Sequence, residues 1–340
     1  MMPTLAFWLT ALISLVVAGP PGDDPPAGPS PIRSRLGAIA ERTRNTPTPA
    51  RYGLHPRDSY RPNDPKRSTI VLIHGINSTS ESFVHLAPAL EAEGFGVLTY
   101  DYPFDRDLDE SVRAFAEAWK RFRRDRGDDK PWSILTHSMG ALIARSYVEG
   151  DSYAGDVDHL LLIGPTNSGA AVAKGQSLLQ IVRGMRAAGG DKDKAMVAFA
   201  DGLGAAAEDL APGSRFLREL NARPRREGVA YHILAGRSGF MSKADREKVE
   251  SRLAVAGRAG GLLGGITRIA VANTSAMLDE LTEGTGDGCV SVASTKLDGV
   301  EDHEVISANH VELIRGPLLY PGPGPIACLP FLRARLRSRR

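Results

Sequence analysis

Ser138 stands in Thr136-His137-Ser138-Met139-Gly140, between an apolar run that reads as a strand, Trp132 to Leu135, and a run from about Met139 through Tyr147 that reads as a helix. A serine on so sharp a strand-to-helix turn projects its hydroxyl from the sheet edge, where a base can reach it. The hydroxyl is a weak nucleophile and needs that base. A histidine supplies it, and a carboxylate holds the imidazole in one tautomer and stabilises the imidazolium. Backbone N–H donors must then face the oxyanion that forms when the serine attacks an acyl carbonyl.

The chain has eight histidines. His55, His74 and His85 precede the serine and His137 adjoins it, while His159 and His232 fall within apolar runs that read as buried strands and His303 opens the last such run. His310 lies in Ser307-Ala308-Asn309-His310-Val311-Glu312-Leu313-Ile314, a loop that follows that last strand and leads into a short apolar helix. A loop at a strand's carboxyl end is where a base meets the serine, so His310 is the candidate. Asp287 is the candidate carboxylate, because the flanking Gly286 and Gly288 let the backbone turn tightly and present the side chain. Asp298, in Leu297-Asp298-Gly299, is its rival and reads more as a hairpin turn. The candidate oxyanion donors are the N–H groups of Met139, at the helix start, and of Ile76, in His74-Gly75-Ile76-Asn77 after the strand Ser68 to Ile73. His74 and His137 read as residues that orient loops rather than transfer protons.

These residues need a scaffold of strands that end together. Thr69 to Ile73 is nearly all apolar, as a strand buried on both faces should be. Further strands are expected at Gly96 to Tyr100, Val157 to Ile163, Val229 to Leu234 and His303 to Ile306, with helices at Ser80 to Glu93 and Leu108 to Arg124. Strands alternating with helices imply a mostly parallel sheet with right-handed crossovers. Two segments break the rhythm, about Ala170 to Gly228 and about Ser238 to Glu283. The first contains the amphipathic Leu178 to Met185 and the second the Gly-rich Gly257 to Gly265. They read either as a cap over an acyl pocket or as ordinary packing helices.

Residues 68–325 are expected to form the folded domain. Leu5 to Ala18 is apolar, too short to span a bilayer comfortably, and ends in small residues, which reads as an export signal cleaved after Ala18. A retained membrane anchor is the alternative, because the segment lacks Lys or Arg. Residues 19–67 read as a Pro-rich linker and surface extension with room for an edge strand, and residues 326–340 as a solvated basic tail. Export makes Cys289 and Cys328, the only cysteines, a candidate disulfide, with two buried free thiols as the alternative. Formal net charge is +2 over 340 residues, which argues against a dedicated nucleic-acid binder. No Cys/His cluster suggests zinc, and no dinucleotide or P-loop fingerprint occurs. Asp298 and Glu312 are too weak a hint of calcium to predict a metal.

With its HGIN, THSMG, GDGCVSVAS and NHVEL segments in that order, the chain resembles the lipase and esterase branch of the α/β-hydrolase superfamily over roughly residues 68–318. Gly164-Pro165-Thr166-Asn167 resembles a Pro-containing loop of the same family. The resemblance implies an α/β-hydrolase fold with helices on both sides of a central sheet. It also implies the order serine, acid, histidine, which Ser138, Asp287 and His310 satisfy. It implies hydrolysis of a small-molecule or lipid ester without a cofactor, with transient contact at a lipid interface. Thioesterase, phospholipase-type deacylase and acyltransferase chemistry use the same residues. A catalytically silent binding protein of the same fold is a further reading. Two positions depart from the family pattern: Thr136 replaces a smaller Gly, and Ala141 replaces a second Gly.

Overall fold

Seven strands form one sheet in the order β1-β3-β2-β4-β5-β6-β7. They are β1 (Gly53–Pro56), β2 (Thr69–Ile73), β3 (Gly96–Asp101), β4 (Trp132–His137), β5 (Val157–Ile163), β6 (Ala230–Gly236) and β7 (His303–Ile306). All pair in parallel except β1, which runs antiparallel to β3 at the edge. Helices among the described residues include α1 (Leu86–Ala92), α2 (Leu108–Arg126), α3 (Gly140–Val148), α4 (Ala206–Leu210), α5 (Arg215–Asn221), α6 (Lys243–Gly257), α7 (Val292–Thr295), α8 (Glu312–Arg315) and α9 (Leu329–Leu336). This computed structural model describes residues 51–104, 106–174, 206–257, 274–316 and 324–336. The expected signal, the amphipathic Leu178 to Met185 and most of the Gly-rich stretch lie outside the described residues.

Alternation along the strands sorts the core into two layers. Val71, Ile73, Leu98, Tyr100, Ile134, Leu160 and Leu162 face one side, where Phe115 and Trp119 of α2 and Leu142 and Tyr147 of α3 cover them. Ile70, Leu72, Val97, Leu135, Leu161 and Ile163 face the other, under Leu86 and Leu90 of α1, Leu313 of α8 and Phe331 and Leu332 of α9. Successive side chains of a strand point to opposite faces, so a continuous apolar run is what a sheet covered on both sides requires. Helix α2 carries its own boundary signals. Asp107 caps the Glu110 N–H at 2.7 Å, and Gly127 ends the helix in the left-handed conformation with φ 58°.

Chain order and sheet order together locate the site. From β2 the chain crosses to β3 on one side, and from β4 it crosses to β5 on the other. The carboxyl ends of β2 and β4 therefore flank a topological switch point, where open α/β sheets bind their ligands. The His74–Asn77 loop leaves from one side of that crevice and Ser138 from the other.

The structure departs from the sequence expectations at four places. The domain begins before Ser68: β1 is already in the sheet, and the Tyr60 side chain is buried and donates its hydroxyl to Asp128 at 2.8 Å. The helix expected over Ser80 to Glu93 is split into a 3-10 turn at Ser80–Phe83 and α1. The basic C-terminus is not a solvated tail as far as Leu336. Helix α9 buries Phe331 and Leu332, and Arg335 donates to Asp302 at 2.7 Å. The expected Cys289–Cys328 bridge is absent, and both thiols are free and buried. Cys328 belongs to the α9 layer, whereas Cys289 adjoins Asp287.

Truncating Leu332 to Ala should destabilise the protein by about 2–5 kcal/mol in urea unfolding, as for other buried leucines. A change near zero would place α9 outside the folded unit. Both thiols should be silent to a thiol reagent in the native state and titrate together on denaturation without reductant; a chain that yields thiols only after reduction would contradict the free state.

Candidate active site

Ser138 occupies a strained turn. Its φ is 55°, in the left-handed region that residues other than Gly adopt rarely and at a cost. Its N–H donates to the Ile163 carbonyl of the neighbouring strand β5 at 3.0 Å. Two glycines make the turn possible. A Cβ at Gly75 would lie 2.8 Å from Ser138 Cβ, and one at Gly140 would lie 2.6 Å from the His74 carbonyl and 2.7 Å from the Ile73 carbonyl. The elbow and the β2 loop are thus pressed together backbone to backbone. Thr136, the departure from the family pattern, is accommodated: it is fully buried and its hydroxyl points to the Leu161 carbonyl at 3.4 Å.

Asp287 and His310 are brought together from distant elements. His310 Nδ1 and Asp287 Oδ2 are 2.7 Å apart, and the His310 N–H donates to the Asp287 carbonyl at 3.0 Å. The other carboxylate oxygen, Oδ1, accepts the Cys289 and Val290 N–H groups at 3.0 and 2.8 Å. Asp287 accepts a hydrogen bond from His310 Nδ1–H, which leaves Nε2 with a free lone pair. His310 Nε2 is buried and has no hydrogen-bond partner among the described residues. No hydrogen bond joins it to Ser138 Oγ, as in many hydrolases without substrate. The rival Asp298 is exposed in a turn closed by Val300 N–H on the Leu297 carbonyl, with Gly299 at φ 80°. Glu312 is spent on the Asn309 N–H at 3.2 Å.

Glycines also make room around this pair: Gly164, which opens the Pro-containing loop, and Gly236, which the sequence reading did not single out. A Cβ at Gly164 would come within 3.2 Å of the His310 ring, and one at Gly236 within 2.9 Å of Asp287 Cβ and 2.5 Å of the Ala308 carbonyl. Both end apolar strands, which is the signal that could have marked them.

The neighbouring histidines hold loops. His137 Nε2–H donates to the His310 carbonyl at 2.9 Å, and the two rings lie 4.6 Å apart. Burial first, then the nearby His310, holds the His137 pKa well below the usual imidazole range, so it is neutral at pH 7. His74 is buried and stacks on Tyr102 at 4.3 Å. Its Nδ1–H donates to the Gly75 carbonyl at 2.8 Å, and the Tyr102 hydroxyl donates to the His74 carbonyl at 2.8 Å. Burial lowers the His74 pKa as well. These contacts fix the loop that carries Ile76. Among the described residues, neither the Ile76 nor the Met139 N–H donates a hydrogen bond to the protein. No signal in the sequence pointed to Tyr102.

A second buried carboxyl adjoins the site. Glu280, in the helical residues 274–281, accepts the Ala171 and Val172 N–H groups at 2.5 and 2.8 Å. Burial, and then the charges of Asp287 and Asp279, push its pKa up to about 8. Its carbonyl accepts the Gly288 N–H at 2.8 Å, beside Asp287.

A family model described as the alpha/beta hydrolase family matches residues 70–291. The protein belongs to the alpha/beta hydrolase family. No curated protein sequence matches it significantly. Among solved structures, the mature form of the Bacillus licheniformis lipase BlEst2 superposes with a TM-score of 0.52 at 16% identity, covering 82% of this chain and 97% of that one. The propeptide form of the same lipase gives a TM-score of 0.52 at 19% identity, over 82% of this chain and 53% of that one. At these identities the likeness is one of fold.

Glu280 yields a signed pH prediction. Above about pH 4.5 the unfolded carboxyl releases its proton, whereas the folded one keeps it until about 8, so this group lowers stability as pH rises between those values. Urea unfolding at about pH 5 and about pH 8 should show that decline in the wild type and a shallower one in Glu280→Gln. An identical decline in both would contradict the assignment.

Proposed function

We propose that the protein is a serine hydrolase that cleaves carboxylic esters through an acyl-enzyme. Ser138 is the nucleophile, His310 the general base and acid, Asp287 its orienting carboxylate, and the Ile76 and Met139 N–H groups the oxyanion donors. One observation carries this reading most: a buried imidazole is locked by a carboxylate at Nδ1, and its Nε2 is left unpartnered.

On this reading, Nε2 takes the Ser138 proton as Oγ attacks the acyl carbonyl. The imidazolium is stabilised by Asp287, and the tetrahedral oxyanion by the two unspent N–H groups. His310 returns the proton to the departing alcohol, leaving the acyl group on Ser138. Water then enters and gives a proton to Nε2 as its oxygen attacks the acyl carbon; the bond from that carbon to Ser138 Oγ breaks, the acid leaves, and Nε2 returns the proton to Oγ. No step calls on a cofactor.

The fold shared with a Bacillus licheniformis lipase supports an acyl ester, of a lipid or a smaller alcohol, as the substrate class. The leader-like residues 1–18 support action outside the cytoplasm.

The test is a p-nitrophenyl ester series from acetate to palmitate, with Ser138→Ala beside the wild type. Wild-type turnover should fall at least about 1,000-fold in the variant, the usual order for loss of a serine nucleophile. Failure of the wild type on every chain length, or retention of activity by Ser138→Ala, would overturn the reading.

A further inference from the structure

Three segments that begin at separate strands must keep their spacing for Ser138, His310 and Asp287 to act together. Asn167 lies in the loop after β5 and is fully buried. Its side-chain oxygen accepts Arg145 Nη1–H at 3.0 Å, and Arg145 belongs to α3, the helix that Ser138 initiates. Its side-chain Nδ2–H donates to the Thr295 carbonyl at 2.8 Å, at the end of α7, which directly follows the Asp287 loop. The amide is used at both ends, one toward the nucleophile helix and one toward the acid segment.

Neighbouring bonds extend the same seam. The Ser168 N–H donates to the Ser294 carbonyl at 3.0 Å, and the Ser294 hydroxyl donates back to the Gly169 carbonyl. At the other end of this loop, Gly164 lies against the His310 ring. Arg145 does not depend on Asn167 for its charge: Glu149 accepts its Nε–H and Nη2–H at 3.1 and 3.2 Å. Asn167 therefore contributes connection rather than neutralisation.

We propose that Asn167 is a positioning residue that fixes the nucleophile helix relative to the acid segment of the triad. This rests on the serine-hydrolase reading above. Asn167→Asp keeps the size and the acceptor for Arg145 but sets an oxygen against the Thr295 carbonyl. Asn167→Ala removes both links. Asn221→Ala serves as a control. Asn221 bonds Arg145 and the Asn167 carbonyl at 3.0 and 2.8 Å, and its loss leaves the Thr295 link in place.

The readouts are the rate of Ser138 labelling by a fluorophosphonate, kcat and KM on a p-nitrophenyl ester, and Tm. Both Asn167 variants should label at least about tenfold more slowly, with kcat falling in parallel and KM within about twofold, because misplacing catalytic groups costs rate more than binding. Asn221→Ala should lose Tm while its labelling rate stays within about twofold. Wild-type labelling at Ser138 with equal rates in folded Asn167→Asp and Asn167→Ala would overturn the positioning role and leave the hydrolase reading intact. If the wild type does not label, the hydrolase reading fails and this role with it. If Asn167→Asp does not fold, the Ala variant decides between the same two outcomes.

Discussion

The site depends on one backbone constraint, the left-handed conformation of Ser138 at the end of β4. Such a residue costs of order 1–3 kcal/mol, and it persists only where its surroundings leave no alternative. Here they are backbone on every side. The Ser138 N–H is tied to Ile163, Gly75 abuts Ser138 Cβ, and Gly140 lies under the Ile73 and His74 carbonyls. The turn lifts the hydroxyl out of the sheet, and the same close approach brings the β2 loop alongside it. The proposed nucleophile and the proposed oxyanion loop are therefore placed by a single packing event at the switch point between β2 and β4.

Electrostatics then assigns the imidazoles. Burial keeps His74 and His137 neutral, so each acts as a hydrogen-bonding strut. His310 differs because it alone faces a carboxylate at hydrogen-bond distance within this buried cluster, and Asp287 is itself held by two amides. In the proposed reaction, an imidazolium formed at His310 would meet a carboxylate already oriented to receive it. Glu280, beside the same loop, faces no imidazole among the described residues, and burial pushes its pKa up to about 8.

Much of this architecture was legible in the residues. The apolar run Thr69–Ile73 and the Val157–Ile163 run matched their strands residue for residue, because a strand covered on both faces leaves a continuous signal. The Asp287–His310 pairing was legible from turn glycines and from a loop position after the last strand. What escaped was set by tertiary context. Edge strand β1 falls in the extension read as having room for an edge strand, but its place left no continuous apolar run, because it is short and half-buried. The basic residues of α9 masked an apolar face that packs into the same layer as Leu86, far away in the chain. The cysteine pair suggested a bridge by compartment alone, whereas the fold sends the two thiols to different surroundings. Tyr102 left no local signal, and Asn167 was marked only as part of a Pro-containing loop, since their roles exist only once separate strands are assembled.

The central claim is that Ser138 Oγ, His310 Nε2 and the Ile76 and Met139 N–H groups converge on one tetrahedral centre. The most direct test is a crystal structure of the protein after reaction with a fluorophosphonate. The account predicts a phosphorus–Oγ bond at Ser138, a phosphoryl oxygen about 2.7–3.1 Å from both N–H nitrogens, and Nε2 turned toward Oγ. An adduct on another residue, or a phosphoryl oxygen pointing away from Ile76 and Met139, would contradict it.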